Sequence, residues 1–317
     1  MLATNDSATH VAQRIISNVG RVLQGKEDRV QLAVVALLAR GHLLIEDVPG
    51  VGKTTLARSL AQSIAVSYRR VQFTSDLLPS DVLGGSVYNQ TSGRFSFRPG
   101  PVFTHVLLAD EINRTPPRTQ SALLEAMEER HVSIEGETHV LEEPFFVVAT
   151  QNPRDFYGTY PLPESELDRF LFRIELGYPP AGIERELIAT LKQTGTNPDV
   201  QPVVERDALL AAQDAVSQIR IQPNVVGYIH QIVQATRETP LLDLGASTRA
   251  ALALGRAVRA RALVLARDYV TPDDVKMLAV PVLAHRVRLA GMSDLTPMRQ
   301  EAVGIIEAIL NTLPVPL

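Results

Sequence analysis

The stretch "HLLIEDVPGVGKTTLARSLAQSI", residues 42–64, decides the fold. "HLLIE" (42–46) is short, apolar and ends at a Pro-Gly turn, so it reads as a buried strand. "TTLARSLAQSI" then resumes helical spacing. Strand, glycine-rich turn and helix in that order is the setting of a phosphate-binding loop, whose usual pattern is G-x-x-x-x-G-K-[ST]. Gly52, Lys53 and Thr54 meet the pattern, but Asp47 stands where the first glycine belongs. That position only begins the turn, and Asp is itself a turn former, so the departure leaves a nucleotide site possible if the carboxylate points away from the phosphates.

A triphosphate needs backbone N–H groups converging on its oxygens with a helix N-terminus behind them. Pro49, Gly50, Val51, Gly52, Lys53, Thr54 and Thr55 form the candidate nucleotide-binding set. Gly50 and Gly52 let the main chain approach, Lys53 brings charge to the β and γ phosphates, and the Thr54 hydroxyl can ligate Mg²⁺. The bland alternative is an ordinary strand-to-helix turn.

Working outward, "VQF" (71–73), "HVLLA" (105–109), "FFVVAT" (145–150) and "FRIEL" (172–176) read as further buried strands. Helical segments such as "TQSALLEAMEER" (119–130) lie between them, and residues 10–40 read as helix. Strands without polar alternation, interleaved with helices, indicate a parallel sheet covered on both faces. Residues 85–100 and 131–143 break the rhythm as two hairpins, the second turning at Glu135-Gly136-Glu137. Pro179-Pro180 marks a boundary, giving a nucleotide-binding core at 1–178 and a second domain at 179–317. The second domain is helical in pattern with loops at 194–202 and 238–247, and "TPDDV" (271–275) is a helix start capped by Thr271.

Other chemistry gathers at strand ends. "HVLLADE" (105–111) places Asp110 and Glu111 at the C-terminal sheet edge, where open α/β sheets bind ligands. Asp110 can hold Mg²⁺ through water and Glu111 can deprotonate an attacking water. Acids at such a junction are also common helix caps. In "VVATQNP" (147–153), Asn152 could hold that water, while Asn152-Pro153 equally makes a turn. Arg169 and Arg249 could stabilise charge on the γ-phosphate, although a lone Arg is more often a solvated surface residue.

Composition narrows the classes. Of 317 residues, 45% are hydrophobic and 21% charged, a globular balance, and the absence of Cys excludes disulfides and thiolate chemistry. No run approaches the about 18 apolar residues of a membrane span, and no leader is legible, so a cytoplasmic chain is expected. A net charge of −4 speaks against charge-driven nucleic-acid binding. Residues 246–290 hold eight Lys/Arg against three Asp, and 124–143 hold seven Glu against one Arg, which favours self-association through opposite-signed surfaces.

Together these segments resemble the MoxR family of AAA+ ATPases. The resemblance is carried by "LIEDVPGVGKTTLA", "LLADEINRTPPRTQSALLEAMEER", "VVATQNP", "LPESELDRFLFRI" and "GASTRAALALGRAVRARALVLARDYVTPDDV", from about Gly25 to the C-terminus. It implies an α/β fold: an αβα core with a five-stranded parallel sheet in order 5-1-4-3-2, hairpin inserts and a C-terminal helical lid. It assigns Asn152 as sensor 1, Arg169 as the arginine finger and Arg249 as sensor 2 of the lid, acting on its own or a neighbour's nucleotide. It makes Asp47 compatible with binding. It implies ATP hydrolysis with Mg²⁺ in a homo-oligomeric ring, expected to be hexameric, that remodels, assembles or metal-loads a partner. A separate von Willebrand factor A domain protein is the expected partner. A nucleic-acid motor and a magnesium-chelatase-like motor subunit are the alternatives. Glu135, Glu137, Glu142 and Glu143 on one hairpin oppose the former, and Arg94 and Arg98 on the other give it little.

Overall fold

The computed structural model describes residues 2–90, 93–153, 158–189, 200–291 and 299–316. Five short strands form the central sheet: β1 (Leu43–Glu46), β2 (Tyr68–Gln72), β3 (Val106–Asp110), β4 (Phe146–Gln151) and β5 (Phe172–Ile174). All pairings are parallel and the order is β5-β1-β4-β3-β2, as the family resemblance implies. Strand β1 lies between β4 and β5, which puts the turn after it inside the sheet rather than at a margin.

Burial explains why these runs are apolar throughout. Leu43, Ile45, Val106, Leu108, Phe146 and Val148 join the core on one face. Leu44, Leu107, Ala109, Val147 and Ala149 join a second core beneath the hairpins. Adjacent strand residues point to opposite faces, so covering both faces removes the polar alternation a half-exposed sheet would show. Each fully buried Leu or Phe contributes roughly 1.5–3 kcal/mol. Strand β2 is the exception: it starts at Tyr68, three residues before the apolar run that announced it, and Arg69 and Arg70 are exposed. Where this edge strand is open to solvent, as at Arg69 and Arg70, it carries no apolar signature.

Two further expectations are corrected. Residues 10–40 are not one helix but two, Leu2–Gly20 and Glu27–Leu38. The chain breaks between them at Gly25, whose φ of 73° lies in the left-handed region. The loop expected at 238–247 contains a strand, Leu242–Leu244, paired antiparallel with Arg288–Leu289. The loop expected at 194–202 lies mostly outside the described residues.

Both hairpins are present, Gly84–Asn89 with Arg94–Pro99 and His131–Ile134 with Glu137–Val140. Thr91 and Ser92, between the two strands of the first hairpin in sequence, lie outside the described residues. The second turns on Glu135 and Gly136, both at positive φ (52° and 85°), the demand of a tight two-residue turn. The hairpins lean on each other: Phe97 stacks on His139 at 3.9 Å between centroids, and Ser86 Oγ donates to Glu135 Oε2 at 2.6 Å.

Past β5 the described chain is mainly helical, and Thr271 opens the helix Pro272–Leu283 as expected. The N-terminal helix packs on Arg206–Val216 and Thr248–Val264, with Thr9 Oγ1 donating to Leu263 O at 2.8 Å. At the other end, Arg286 Nη2 donates to Phe170 O (2.7 Å) and Asp168 O (3.1 Å), while His285 Nε2 lies 3.0 Å from Phe170 O. These contacts seat the helical part on the turn that precedes β5. We propose the division between the two parts at 178/179. No described helix is long and apolar enough to cross a membrane.

Candidate active site

The phosphate loop grows directly from β1. Asp47 N–H extends the sheet ladder to Gln151 O at 3.1 Å. Its carboxylate then turns away from the loop: Oδ1 accepts from Val48 N (2.8 Å) and Oδ2 from Gly177 N (2.6 Å). Asp47 is therefore a buried anchor, not an obstacle to phosphate. Gly50 and Gly52 have φ of 84° and 100°, which a side chain would strain. Gly52 stands at the start of the helix Lys53–Ser63 and has no side chain to occupy the helix's first N–H groups, so they remain available to an anion. Lys53 Nζ donates to Asp47 O at 2.5 Å and to Gln151 O at 3.4 Å. Burial lowers the Lys53 pKa below the ordinary lysine value, while Asp110, Asp47, Glu111 and Glu46 pull the other way.

Opposite the loop, β3 delivers Asp110 and Glu111. The hydroxyl of Thr150, on neighbouring β4, donates to Asp110 Oδ1 at 2.5 Å and accepts the Glu111 N–H at 2.9 Å. Arg70, from β2, donates to Asp110 Oδ2 through Nη2 (2.6 Å) and Nε (3.1 Å). Glu111 itself has φ 58°, ψ 49°, a left-handed conformation costing about 1–2 kcal/mol for a residue with a side chain. Strain of this kind persists only where neighbours enforce it. Here Thr150 holds the amide, Gln72 Nε2 donates to Glu111 Oε2 at 2.7 Å, and Arg114 Nε lies 3.1 Å from the same oxygen. Asn152 follows β4 directly, and Ala149 of β4 pairs with Ala109, so Asn152 sits at the same sheet edge as the two acids.

The site also fits a magnesium nucleotide. Among the described residues no group of three or more His, Asp or Glu could cage a metal. Mg²⁺ typically takes one or two protein oxygens and completes its shell with phosphates and water. Thr54 and Asp110 supply such a sparse set.

Arg169 and Arg249 are elsewhere. Arg169 precedes β5, whose first residue Phe172 pairs with Leu43, the first residue of β1. The phosphate loop follows the last residue of β1. Because β1 and β5 are parallel, Arg169 lies at the opposite edge of the sheet from Lys53. Arg249, at the start of the helix Thr248–Val264, joins it there. Glu128 holds both: Arg169 Nε donates to Oε2 at 2.8 Å and Arg249 Nη2 to Oε1 at 2.6 Å. The opposite-signed surfaces expected to join separate copies thus partly meet within one chain. Glu143 is likewise paired, with Arg130 at 2.8 Å.

Sequence reading brings together the loop, Asp110, Glu111 and Asn152, and it missed Arg70, Gln72 and Thr150, together with Lys26, whose Nζ donates to the loop carbonyl Val51 O at 2.7 Å. The first three are polar residues within or ending β2 and β4, and position near the ligand-binding edge was the signal that could have marked Gln72 and Thr150.

A phosphate loop beside paired acids at the mouth of a 5-1-4-3-2 sheet, with a helical lid, defines an AAA+ ATPase. Residues 42–172 match the ATPase family associated with various cellular activities (AAA), and 234–307 match its lid domain. Chaperone MoxR1 of Mycobacterium tuberculosis is 40% identical over 97% of this chain and 83% of its own length. The uncharacterized protein YeaC of Bacillus subtilis is 46% identical over 96% of this chain and 94% of its own. A crystal structure from Cytophaga hutchinsonii superposes with a TM-score of 0.89 at 36% identity, covering 99% of this chain and 98% of that one. The chain belongs to the MoxR family of AAA+ ATPases.

Proposed function

We propose that the chain hydrolyses ATP at a composite site in a ring of identical copies, hexameric by analogy with the family, and uses the cycle to remodel a partner protein. The observation that carries this reading is the separation of Arg169 and Arg249 from Lys53 across the sheet. A γ-phosphate transition state needs cationic stabilisation beyond the loop lysine, and an Arg supplied to it is worth about 10³–10⁵ in rate. One chain does not bring its own pair there, so a neighbour's edge would.

In this scheme residues 49–55 and the helix N-terminus cradle the phosphates, with Lys53 exchanging its carbonyl partners for phosphate oxygens. Thr54 and Asp110 would hold Mg²⁺, which neutralises charge on the β and γ oxygens when bound. Glu111 takes the proton of the attacking water, and Asn152 orients that water from the adjacent strand. The left-handed Glu111 backbone and its Thr150 and Gln72 bonds fix where the carboxylate stands. Arg169 and Arg249 act on the neighbour's nucleotide after leaving Glu128.

A protein client suits the hairpins better than a nucleic acid. Tyr88 and Phe95 pack at 5.2 Å on the first hairpin and remain largely exposed, and Val140 is exposed on the second. The Glu residues of the second hairpin repel phosphates. The chaperone name of the Mycobacterium relative supports the same reading. A separate von Willebrand factor A domain chain, metal-bearing, is the partner we propose, in the cytoplasm. The test is Glu111→Gln in the full chain. ATP should be retained, turnover should fall by at least about 100-fold, and the client should co-purify with the trapped ring. Unchanged hydrolysis would remove Glu111 from its role.

A further inference from the structure

Asp47 and Lys26 lie outside the hydrolytic set, yet both are buried beside it. Three segments meet at them: the turn joining the first two helices, the phosphate loop, and the chain leaving β5. The fit is close. A Cβ added to Gly52 would lie 2.7 Å from Leu23 Cδ1, and one added to Gly25 would lie 2.7 Å from Pro180 Cδ. Lys26 Nζ donates to Val51 O (2.7 Å) and to Gly177 O (2.5 Å). Asp47 accepts from Val48 N and, at 2.6 Å, from Gly177 N. Gly177 thus has its N–H and its C=O held by two side chains that also hold the loop. Burial lowers the Lys26 pKa, and the Asp47 charge opposes that shift. Burying a lysine and a carboxylate is costly unless their bonds are used, and here three of the four tie one backbone segment to another, the bond to Val48 N being local.

We propose that Lys26 and Asp47 are positioning residues that clasp the phosphate loop to the Gly177–Pro180 exit of the sheet, so that nucleotide in the loop sets the helical lid. The inference rests on the nucleotide reading above. A ligand shifts an equilibrium only through contacts that differ between two states. The differing contact here is the bond from Lys53 Nζ to Asp47 O, at 2.5 Å. Phosphate oxygens that recruit Lys53 release the Asp47 carbonyl. The same residue's carboxylate passes the change to Gly177, while Lys26 passes any shift of Val51. The acid in place of the usual glycine is therefore the part of the loop that reports its occupancy.

The test follows hydrogen exchange of the peptide spanning Gly177 in the full chain, with and without a slowly hydrolysed ATP analogue, beside calorimetric affinity and steady-state turnover. In the wild type the analogue should change Gly177 exchange by about tenfold. Asp47→Gly restores the usual loop glycine and should bind the analogue within about threefold of wild type, because no phosphate ligand is lost. Its Gly177 exchange should be fast with or without analogue, and kcat should fall about tenfold with KM little changed. Asp47→Asn keeps one acceptor, which can serve Gly177 N–H only by giving up Val48 N–H, and should recover both in part. Nucleotide-dependent exchange that survives in Asp47→Gly overturns the proposal. If that variant does not fold, Lys26→Gln takes its place: loss of the nucleotide dependence supports the clasp, and its survival overturns it. A wild type that gives no calorimetric signal would sink the nucleotide reading, and the clasp with it. Binding without coupling would sink the clasp alone.

Discussion

Thr150→Val tests whether one hydroxyl organises both acids. Thr150 is fully buried, and its Oγ1 serves Asp110 at 2.5 Å and Glu111 N–H at 2.9 Å. Valine keeps the shape and removes both bonds. The Glu111 amide then lacks that acceptor, at about 1–3 kcal/mol, and the carboxylate of Asp110 loses a charge-assisted bond of similar size. Asp110 retains Arg70, so the stability loss should be about 2–4 kcal/mol rather than the full sum. The kinetic effect follows from the left-handed backbone of Glu111, whose cost of about 1–2 kcal/mol is offset by the lost amide bond. Without it the poised geometry should become scarcer, lowering kcat by about 5–30-fold. Affinity for ATP should stay within about threefold, since both bonds of the Thr150 hydroxyl go to the acids rather than to the phosphate loop. Single-turnover hydrolysis and calorimetry on the same preparation separate the two quantities. Thr150→Ser should restore hydrolysis to within about threefold. Turnover of Thr150→Val within about twofold of wild type would refute the assigned role.

Mixing experiments address the remote arginines: Lys53→Ala and Arg169→Ala should each be inactive alone, yet equal mixtures should regain about a quarter of wild-type turnover, the chance of pairing an intact loop with an intact finger at a shared interface. No recovery in rings shown to exchange subunits would place Arg169 in its own chain's chemistry. Acid should destabilise the fold through His42, which accepts Val147 N–H at 3.0 Å while its other nitrogen faces Met127 O. Burial chiefly lowers its pKa from 6.5 to about 4, so the unfolded chain binds the proton first and stability falls as pH drops through that window. The loss should reach about 3 kcal/mol, read as a denaturation midpoint against pH, and His42→Gln should flatten the curve relative to wild type. Equal slopes for the two proteins would exclude this origin.

Much of the core was legible because burial writes itself into composition. Strands β1, β3 and β4 are covered on both faces and read as unbroken apolar runs. The start of β2 was missed because Arg69 and Arg70 sit on an exposed edge. The break at Gly25 was hidden by helical spacing on both sides of it. In the site, residues following a strand in sequence were found, whereas groups arriving from neighbouring strands were not. Thr150 and Arg70 reach Asp110 across β4 and β2, and parallel neighbours in this sheet are far apart along the chain. Asp47 is the clearest case: its position in the loop pattern was plain, but its partner Gly177 lies beyond the last strand.

The stacked rings of Phe97 and His139 have a mechanical consequence. They weld two projecting ribbons into one jaw, and its second ribbon runs on to β4, the strand that ends in Thr150 and Gln151. On the remodelling reading proposed above, a pull on the exposed rings of Tyr88 and Phe95 would cross this joint and the 141–145 link toward the groups that hold the two acids, tying force on a client to geometry at the scissile bond.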